Sequence, residues 1–515
     1  MEINGKLERR ILSFTDYSMG LPENDTLTVT DWTWRRGEHW LLTGSNESGA
    51  EKLAQRLAGR TLLGEERGMA ETFVDPKSIR LVSFSESALL IEYERAHDDS
   101  DFTEGGIDPC RTAFRLISER SLLPLEDVTA HPVVEACGVA AFGHRGIKYL
   151  STGEIRRLLL CEALVSEANL LILEDPFDGV DQAGRRVISS LLAAYMKGPG
   201  ALLLVMERPA GIPDGITHAL AMENHTVAFR GTLPEFLLRR EKSHVTHDAA
   251  EELPVEKFPG ALIPQPPATA RNESGANEAE GNEPPLVEMN RVTVEWSGRK
   301  VLDSLTWKLE KGQHWLIRGP NGSGKTTFLE LITGDNPQVY RNDVWLFGKK
   351  RGSGETIWEI KERMGIVSYK MHQEFRMVSD MDVESVILSG FHDSIGLYRQ
   401  KGEEESLKAR SWLELGGFAG REAERFSALS YGDQRAVLIL RAVVKGPSIL
   451  VLDEPCHGLD DKHRSRILAL LEAIGNSGRT TLLHVTHDPD ETLRCERNVL
   501  ELRPGETPMY KAVRK

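Results

Sequence analysis

Two tandem α/β domains, each built around a mainly parallel sheet, are the fold that the sequence predicts. Three observations carry this. The chain repeats itself, short apolar runs alternate with helix-like stretches in both copies, and in each copy a strand-like run leads through a glycine-rich turn into a helix-like segment. The repeat is plain in the residues. Trp32 to Gly44 reads WTWRRGEHWLLTG and Trp307 to Gly319 reads WKLEKGQHWLIRG, an offset of 275. Leu150 to Gly153 (LSTG) answers Leu429 to Gly432 (LSYG) at an offset of 279. Leu170 to Asp181 (LLILEDPFDGVD) answers Leu450 to Asp460 (LVLDEPCHGLD), again at 279 over the aligned residues. Three blocks in one order at nearly one offset mark a duplicated domain.

The alternation is of the kind that builds parallel sheets. HWLIRG and SILVLDEP have the length and apolarity of buried strands, whereas KTTFLELITG and DQRAVLILRAVVKG read as helices. A strand, a glycine-rich turn and then a helix form the βα unit at whose edge phosphate sites arise. Between the copies, residues 243–286 hold seven prolines, eight acidic residues and two basic ones. Such a segment buries too little apolar area to offset its ordering entropy and is expected to be a flexible acidic linker. The predicted organisation is therefore a first domain over 1–242, the linker over 243–286 and a second domain over 287–515.

Bulk properties narrow the setting. A chain of 515 residues exceeds one ordinary core, and 40% hydrophobic with 27% charged residues is usual for a globular protein. The net charge of −15 argues against nucleic acid as a partner, since phosphate backbones are met by clustered Lys and Arg. No apolar run approaches the roughly 18 to 20 residues that span a bilayer, and the N-terminal MEINGKLERR lacks a signal-peptide pattern. Five scattered cysteines without a CxxC pair suit a reducing compartment. A cytoplasmic location is expected, with attachment to the inner face of the membrane as the peripheral option.

The chemistry concentrates in the second copy. Gly319-Pro320-Asn321-Gly322-Ser323-Gly324-Lys325-Thr326 fits GxxxxGK[ST], with Thr327 following. Glycines let backbone N–H groups turn onto phosphates, and the helix N-terminus adds a positive dipole end. Lys325 is placed to contact the β- and γ-phosphates and Thr326 to bind Mg²⁺. Some 127 residues on, Ile449-Leu450-Val451-Leu452 ends in Asp453-Glu454. That is a buried strand delivering two carboxylates to its edge, Asp453 to the Mg²⁺ shell and Glu454 to the attacking water. His487 follows the strand-like TTLLHVT, near where a γ-phosphate would lie.

The second copy resembles an ATP-binding-cassette (ABC) ATPase along its whole length. Leu429-Ser430-Tyr431-Gly432-Asp433-Gln434 is similar to the ABC signature, Asp453-Glu454 to the Walker B acid and catalytic base, Gly458-Leu459-Asp460 to the D-loop, and His487 to the switch histidine. Trp296 stands where the family places an aromatic that stacks on adenine. Tyr369 stands after Gly365-Ile366-Val367-Ser368, where the family has a glutamine that links nucleotide state to a membrane partner; the nearest candidate is Gln373. The resemblance implies two P-loop NTPase (ABC ATPase) domains, each with an antiparallel β part and a helical subdomain beside the parallel core. It also implies ATP and Mg²⁺ as cofactors.

The first copy departs where the chemistry lies. Its loop reads Gly44-Ser45-Asn46-Glu47-Ser48-Gly49-Ala50-Glu51, with Ala50 for the lysine and Glu51 for the Mg²⁺-binding hydroxyl. Each lost or inverted charge beside a polyphosphate is worth on the order of 1 to 4 kcal/mol. Lys52 lies on another face of the helix. Glu174-Asp175 transposes the two acids, and Glu207 falls where His487 does. In the ABC family domains pair head to tail, each ATP lying between one P-loop and the other domain's signature. The resemblance therefore implies one competent site, formed by the second P-loop with Ser151 and Gly153 of the first-half signature. The degenerate partner site would be formed by the first loop with Ser430 and Gly432.

The tandem architecture and segments such as VILSGFHDSIGLYRQ and LVSFSESALLIEYER resemble the ModF-type proteins, two fused cassettes associated by name with molybdate transport. That resemblance implies an ATPase subunit that powers or regulates a transporter whose membrane spans lie on other chains. Two alternatives stand beside it: a tandem ATPase acting on ribosomes or DNA repair machinery, and a nucleotide-sensing regulator with little turnover. The ribosomal relatives carry a long charged helical linker, unlike the acidic, proline-rich one here.

Overall fold

The computed structural model describes residues 10–514 apart from 22–24, 46–47, 61–64, 98–109, 151, 178–179, 181, 210, 245–283, 297–298, 321, 369–370, 373–374, 376–380 and 397–401. Most of the expected linker thus lies outside the described residues. The chain divides into two compact units, Met1–Ala249 and Ala250–Lys515.

In the first unit the strands are β1 (Arg10–Gly20), β2 (Thr26–Arg35), β3 (Trp40–Gly44), β4 (Glu66–Thr72), β5 (Ile79–Val82), β6 (Leu170–Glu174), β7 (Ala201–Met206), β8 (His218–Glu223) and β9 (Thr226–Thr232). Among the described residues they form one sheet in the order β4-β1-β2-β9-β8-β3-β7-β6-β5. The stretch from β8 through β3, β7 and β6 to β5 is parallel, and β1 pairs antiparallel with β2 and β4. The central parallel strands are largely apolar, and β7 is apolar and buried at every position, because a strand covered on both faces has no polar side. Helices α1 (Ala50–Leu57), α2 (Phe84–Ala96), α3 (Ala113–Ser121), α4 (Thr152–Val165), α5 (Gln182–Met196) and α6 (Leu233–His244) follow in chain order. Helices α2, α3 and α4 share a core of their own, built on Leu90, Phe114, Ile117, Leu158 and Cys161, which is the helical part of this unit.

The second unit separates the two kinds of sheet. Strands β10 (Val287–Trp296), β11 (Arg299–Leu309), β13 (Asp343–Leu346) and β14 (Lys349–Lys350) make an antiparallel sheet; β12 (Trp315–Arg318) belongs to the other one. With β15 (Met364–Val367), β16 (Ile449–Asp453), β17 (Thr481–Val485), β18 (Asn498–Leu502) and β19 (Tyr510–Arg514), it forms the order β15-β16-β17-β12-β18-β19. The ladder is parallel up to β18, and β19 closes it antiparallel. Helix α7 (Lys325–Thr333) follows β12; α8 (Val383–Ser389), α9 (Glu403–Leu415) and α10 (Tyr431–Val443) form the helical part; α11 (Asp461–Asn476) follows β16. Each unit thus has a parallel core, an antiparallel part and a helical part.

The duplication reaches into the packing. Trp32 and Trp40 meet edge to face at 5.5 Å, and Trp307 and Trp315, their counterparts in the repeat, do so at 5.4 Å. All four rings are buried. Large rings at this spacing contribute through both area and quadrupole geometry, which explains why the repeat keeps them together.

Candidate functional site

In the second unit the strand order sets the site. Because β16, β17 and β12 are parallel neighbours, their C-terminal ends open on one edge, carrying Asp453, the segment leading to His487, and the Gly319 loop. The loop needs glycine at its entry: a Cβ on Gly319 would lie 2.5 Å from Ser323 Oγ and 2.8 Å from the Leu502 carbonyl. Gly324, in the left-handed region, caps α7. Lys325 is buried, and its ammonium donates to the Gly319 carbonyl at 2.8 Å and the Pro320 carbonyl at 3.1 Å. The Ser323 hydroxyl is buried without a hydrogen-bond partner among the described residues, a donor left for something the loop receives. Thr326 and Pro320 are exposed, Gly322 is exposed and Thr327 is half-buried. Asn321 lies outside the described residues.

The two carboxylates are driven apart in character. Asp453 is pushed up to about 6 by burial and by the charge of Glu454, against the pull of Arg435, Lys325 and His457. Desolvation would raise half-buried Glu454 as well, but the imidazoles of His457 and His487 hold it well below the usual range. His487 Nδ1 lies 3.1 Å from Glu454 Oε1, and His457 Nδ1 lies 3.5 Å from Oε2. Neighbouring carboxylates with opposed shifts are the pattern of divided acid and base roles. Glu454 sits at φ 47°, a left-handed conformation that a non-glycine residue rarely adopts, fixed by its N–H donating to the Val485 carbonyl at 2.9 Å.

Two residues that sequence reasoning passed over shape this edge. His457 is one; a lone histidine three positions past an acid carries no signal by itself. Arg435 is the other. It is fully buried on α10, and its guanidinium donates to the carbonyls of Pro455 at 2.9 Å, Glu454 at 2.7 Å and Ser368 at 3.1 Å. One side chain thereby ties the helix of the signature to the turn of the two acids and to the end of β15. Tyr369 and Gln373, which bear on the missing glutamine beyond that strand, lie outside the described residues.

Ser430 caps α10, its hydroxyl accepting from the Asp433 N–H at 3.2 Å. Gly432 is buried. Trp296, at the end of β10, is 50% exposed, so it stands on the surface rather than in the core.

The first unit keeps the backbone and changes the chemistry. A Cβ on Gly44 would meet Ser48 Oγ at 2.3 Å and the Met222 carbonyl at 2.6 Å, the same close approach as at Gly319. Asp175 has φ 39° and its backbone N–H donates to the Val205 carbonyl at 2.9 Å, matching Glu454. Yet Ala50 is buried where the lysine would be, Glu51 is exposed and bound by Gln55 at 2.8 Å, and Asp175 Oδ1 accepts from the Glu207 N–H at 3.3 Å. Glu174 is pushed up to about 8, by burial first and then by Glu51 and Asp175, so it holds its proton at neutral pH. Its Oε1 is buried without a hydrogen-bond partner among the described residues. Gly153 is half-buried on α4; Ser151 lies outside the described residues.

A glycine loop between a central parallel strand and a helix, acids on the strand one removed, and a serine-capped helix LSYGD together define an ATP-binding cassette, here in two copies. The chain belongs to the family of ABC transporter ATP-binding proteins. The ABC transporter family profile matches residues 302–457. The chain is 36% identical over 490 residues to the ABC transporter ATP-binding protein ModF of Escherichia coli (strain K12), covering 94% of this chain and 95% of that one. It is 29% identical over 444 residues to an uncharacterized ABC transporter ATP-binding protein of Schizosaccharomyces pombe, covering 83% and 85%. Among solved structures, RNase-L Inhibitor shares the fold with a TM-score of 0.55 at 16% identity, over 96% of this chain and 89% of that one. ABCE1 bound with archaeal Pelota to the ribosome does so with 0.58 at 16% identity, over 96% and 78%. No helix among the described residues is long and apolar enough to cross a membrane.

Proposed function

We propose that this protein hydrolyses ATP at one composite site and that the second site is catalytically silent. The observation that carries the reading is the pair Glu454 and His487 at 3.1 Å, beside a buried Lys325 whose ammonium lies over the phosphate loop. An anionic Glu454 is suited to draw a proton from water, and His487 orients it. Lys325, Ser323 and the loop N–H groups suit the phosphates. Nothing comparable stands at Ala50, Asp175 and Glu207. On this reading the two domains pair head to tail, with Ser151 and Gly153 completing the active site and Ser430 and Gly432 facing the silent one.

Among the described residues no group of three or more His, Cys, Asp or Glu side chains is arranged to hold a metal alone. Mg²⁺ does not ask for one, since it takes one or two protein oxygens and completes its shell from phosphates and water. The donors present are hard oxygens, the Thr326 hydroxyl and the Asp453 carboxylate, and a carboxylate raised to about 6 by burial and a neighbouring acid gains from a cation. The ion would neutralise charge that develops on the phosphates.

For the biological role we favour the energising or regulatory subunit of a transporter whose spans lie on other chains, molybdate being indicated by the ModF-type resemblance alone. Affinity purification of the full chain from its own cells tests this: membrane subunits should accompany it, and ribosomes in their place would refute it. Glu454→Gln tests the chemistry. Turnover should fall at least about 10²-fold with ATP binding retained; turnover within a factor of two of the parent sinks the assignment.

A further inference from the structure

The signature of the second half is engaged inside its own domain. Ser430 Oγ lies 3.3 Å from His463 Nε2, and His463 Nδ1 lies 2.9 Å from Asp460 Oδ1. The backbone N–H of His463 donates to the same Asp460 oxygen at 2.8 Å, fixing the carboxylate as the cap of α11. The ring is wedged against the signature backbone: a Cβ on Gly432 would lie 2.2 Å from the imidazole, so only glycine admits it there. His463 and Asp460 are both buried.

Chemistry assigns the protons. An ionised carboxylate only accepts, so Nδ1 carries the hydrogen, and whenever the ring is neutral Nε2 is an acceptor. With the ring neutral, Ser430 donates its single O–H to His463 while its oxygen accepts from the Asp433 N–H. Phosphate oxygens accept and do not donate, so a signature serine serves them only through that O–H. In the first half the position answering His463, at the offset of 279, is Gly184, which offers no such ring.

We propose that His463 is a positioning residue that withholds the Ser430 hydroxyl from nucleotide phosphate, through a Ser430–His463–Asp460 chain linking signature and D-loop. This rests on the head-to-tail reading above and deepens it. The site that lost its P-loop lysine on one wall would then have its signature donor engaged on the other, while in the first half the aligned residue is a glycine, Gly184.

The two amides separate the two ends of the ring. In His463→Asn the side-chain nitrogen stands in for Nδ1, keeping the Asp460 bond and releasing Ser430. In His463→Gln the amide oxygen stands in for Nε2 and keeps the Ser430 bond. Both are made in the full chain carrying Glu454→Gln and titrated with a fluorescent ATP analogue. Asn should tighten the weaker binding phase about 3- to 10-fold, the worth of one net hydrogen bond, and Gln should retain most of the parental hold. Equal shifts in both variants, or weakening in Asn, overturn the proposal as a purely structural role. No shift in either also overturns it, and Ser151→Arg, made in the chain that keeps Glu454, shows what failed. If that variant loses turnover, the pairing stands and only the chain falls; if turnover survives, the pairing falls as well. Nitrogen-15 spectra should further show His463 as the neutral Nδ1–H tautomer, and a hydrogen on Nε2, in the other tautomer or in the imidazolium, refutes the proton assignment.

Discussion

Glu174→Gln should make the first domain less sensitive to alkali, by an amount that the buried carboxyl sets. Its folded value is about 8 against an ordinary 4.5. Below pH 4.5 the group is protonated in both folded and unfolded chains and changes nothing. Between 4.5 and 8 the unfolded chain gives up the proton while the folded domain keeps it, so stability falls as pH rises, by about 1.4 kcal/mol per unit. Above 8 both forms are ionised and the loss levels off. From pH 5.5 to 8.0 the parent should therefore lose roughly 3 kcal/mol that the glutamine variant does not lose. At pH 5.5 the two should be close, the amide giving up whatever its own unpaired group costs, about 1 to 3 kcal/mol at most. Hydrogen exchange of peptides from β6 and β3 reads this locally, and urea unfolding of the full chain reads it globally. Parallel pH slopes in parent and variant would refute the idea that Glu174 is held protonated.

The remaining tests follow from the contrast of the two halves. Lys325→Ala should abolish hydrolysis, whereas Ala50→Lys alone should not add a second active site, because Glu51, Asp175 and Glu207 remain; a doubling of phosphate release on Ala50→Lys contradicts a multiply disabled site. Ser151→Arg should lower steady-state turnover more than Ser430→Arg, and the reverse order would mean that the halves do not pair as proposed. Arg435→Met keeps the volume but strips the carbonyls of Ser368, Glu454 and Pro455 of a shared donor. The second domain should lose about 2 to 4 kcal/mol in denaturant titration, and an unchanged midpoint argues that those carbonyls have other partners.

What the sequence discloses depends on how local the cause is. The strand–loop–helix around Gly319 and the acids ending Ile449–Asp453 are legible because spacing alone fixes where such residues stand once the strands are parallel. The duplication is legible for the same reason, and with it the parallel core. Arg435 was not legible: it lies in an apolar helical run, where a charge ordinarily marks a solvent face, and only the fold shows it turned inward onto backbone carbonyls. His457 and His463 depend on side chains meeting across elements, which no spacing rule records. Glu174 shows a further limit. The transposition of the acids is visible in the letters, but burial, not order, decides that the carboxyl keeps its proton. The domain edges were legible only coarsely, since α6 runs to His244 and Leu286 is buried, both inside the span expected as linker.

The left-handed turn at Asp175 has a bearing on engineering. Reviving a decayed enzyme is hardest when its main chain has drifted, because loops must then be rebuilt before any side chain can be aimed. Here the main chain has kept its course at two points: Asp175 at φ 39° and Glu454 at φ 47° trace the same turn, and Gly44 still hugs Ser48 as Gly319 hugs Ser323. A designer could start from these two turns, exchanging Ala50, Glu51, Glu174, Asp175 and Glu207 together and leaving both turns as they stand.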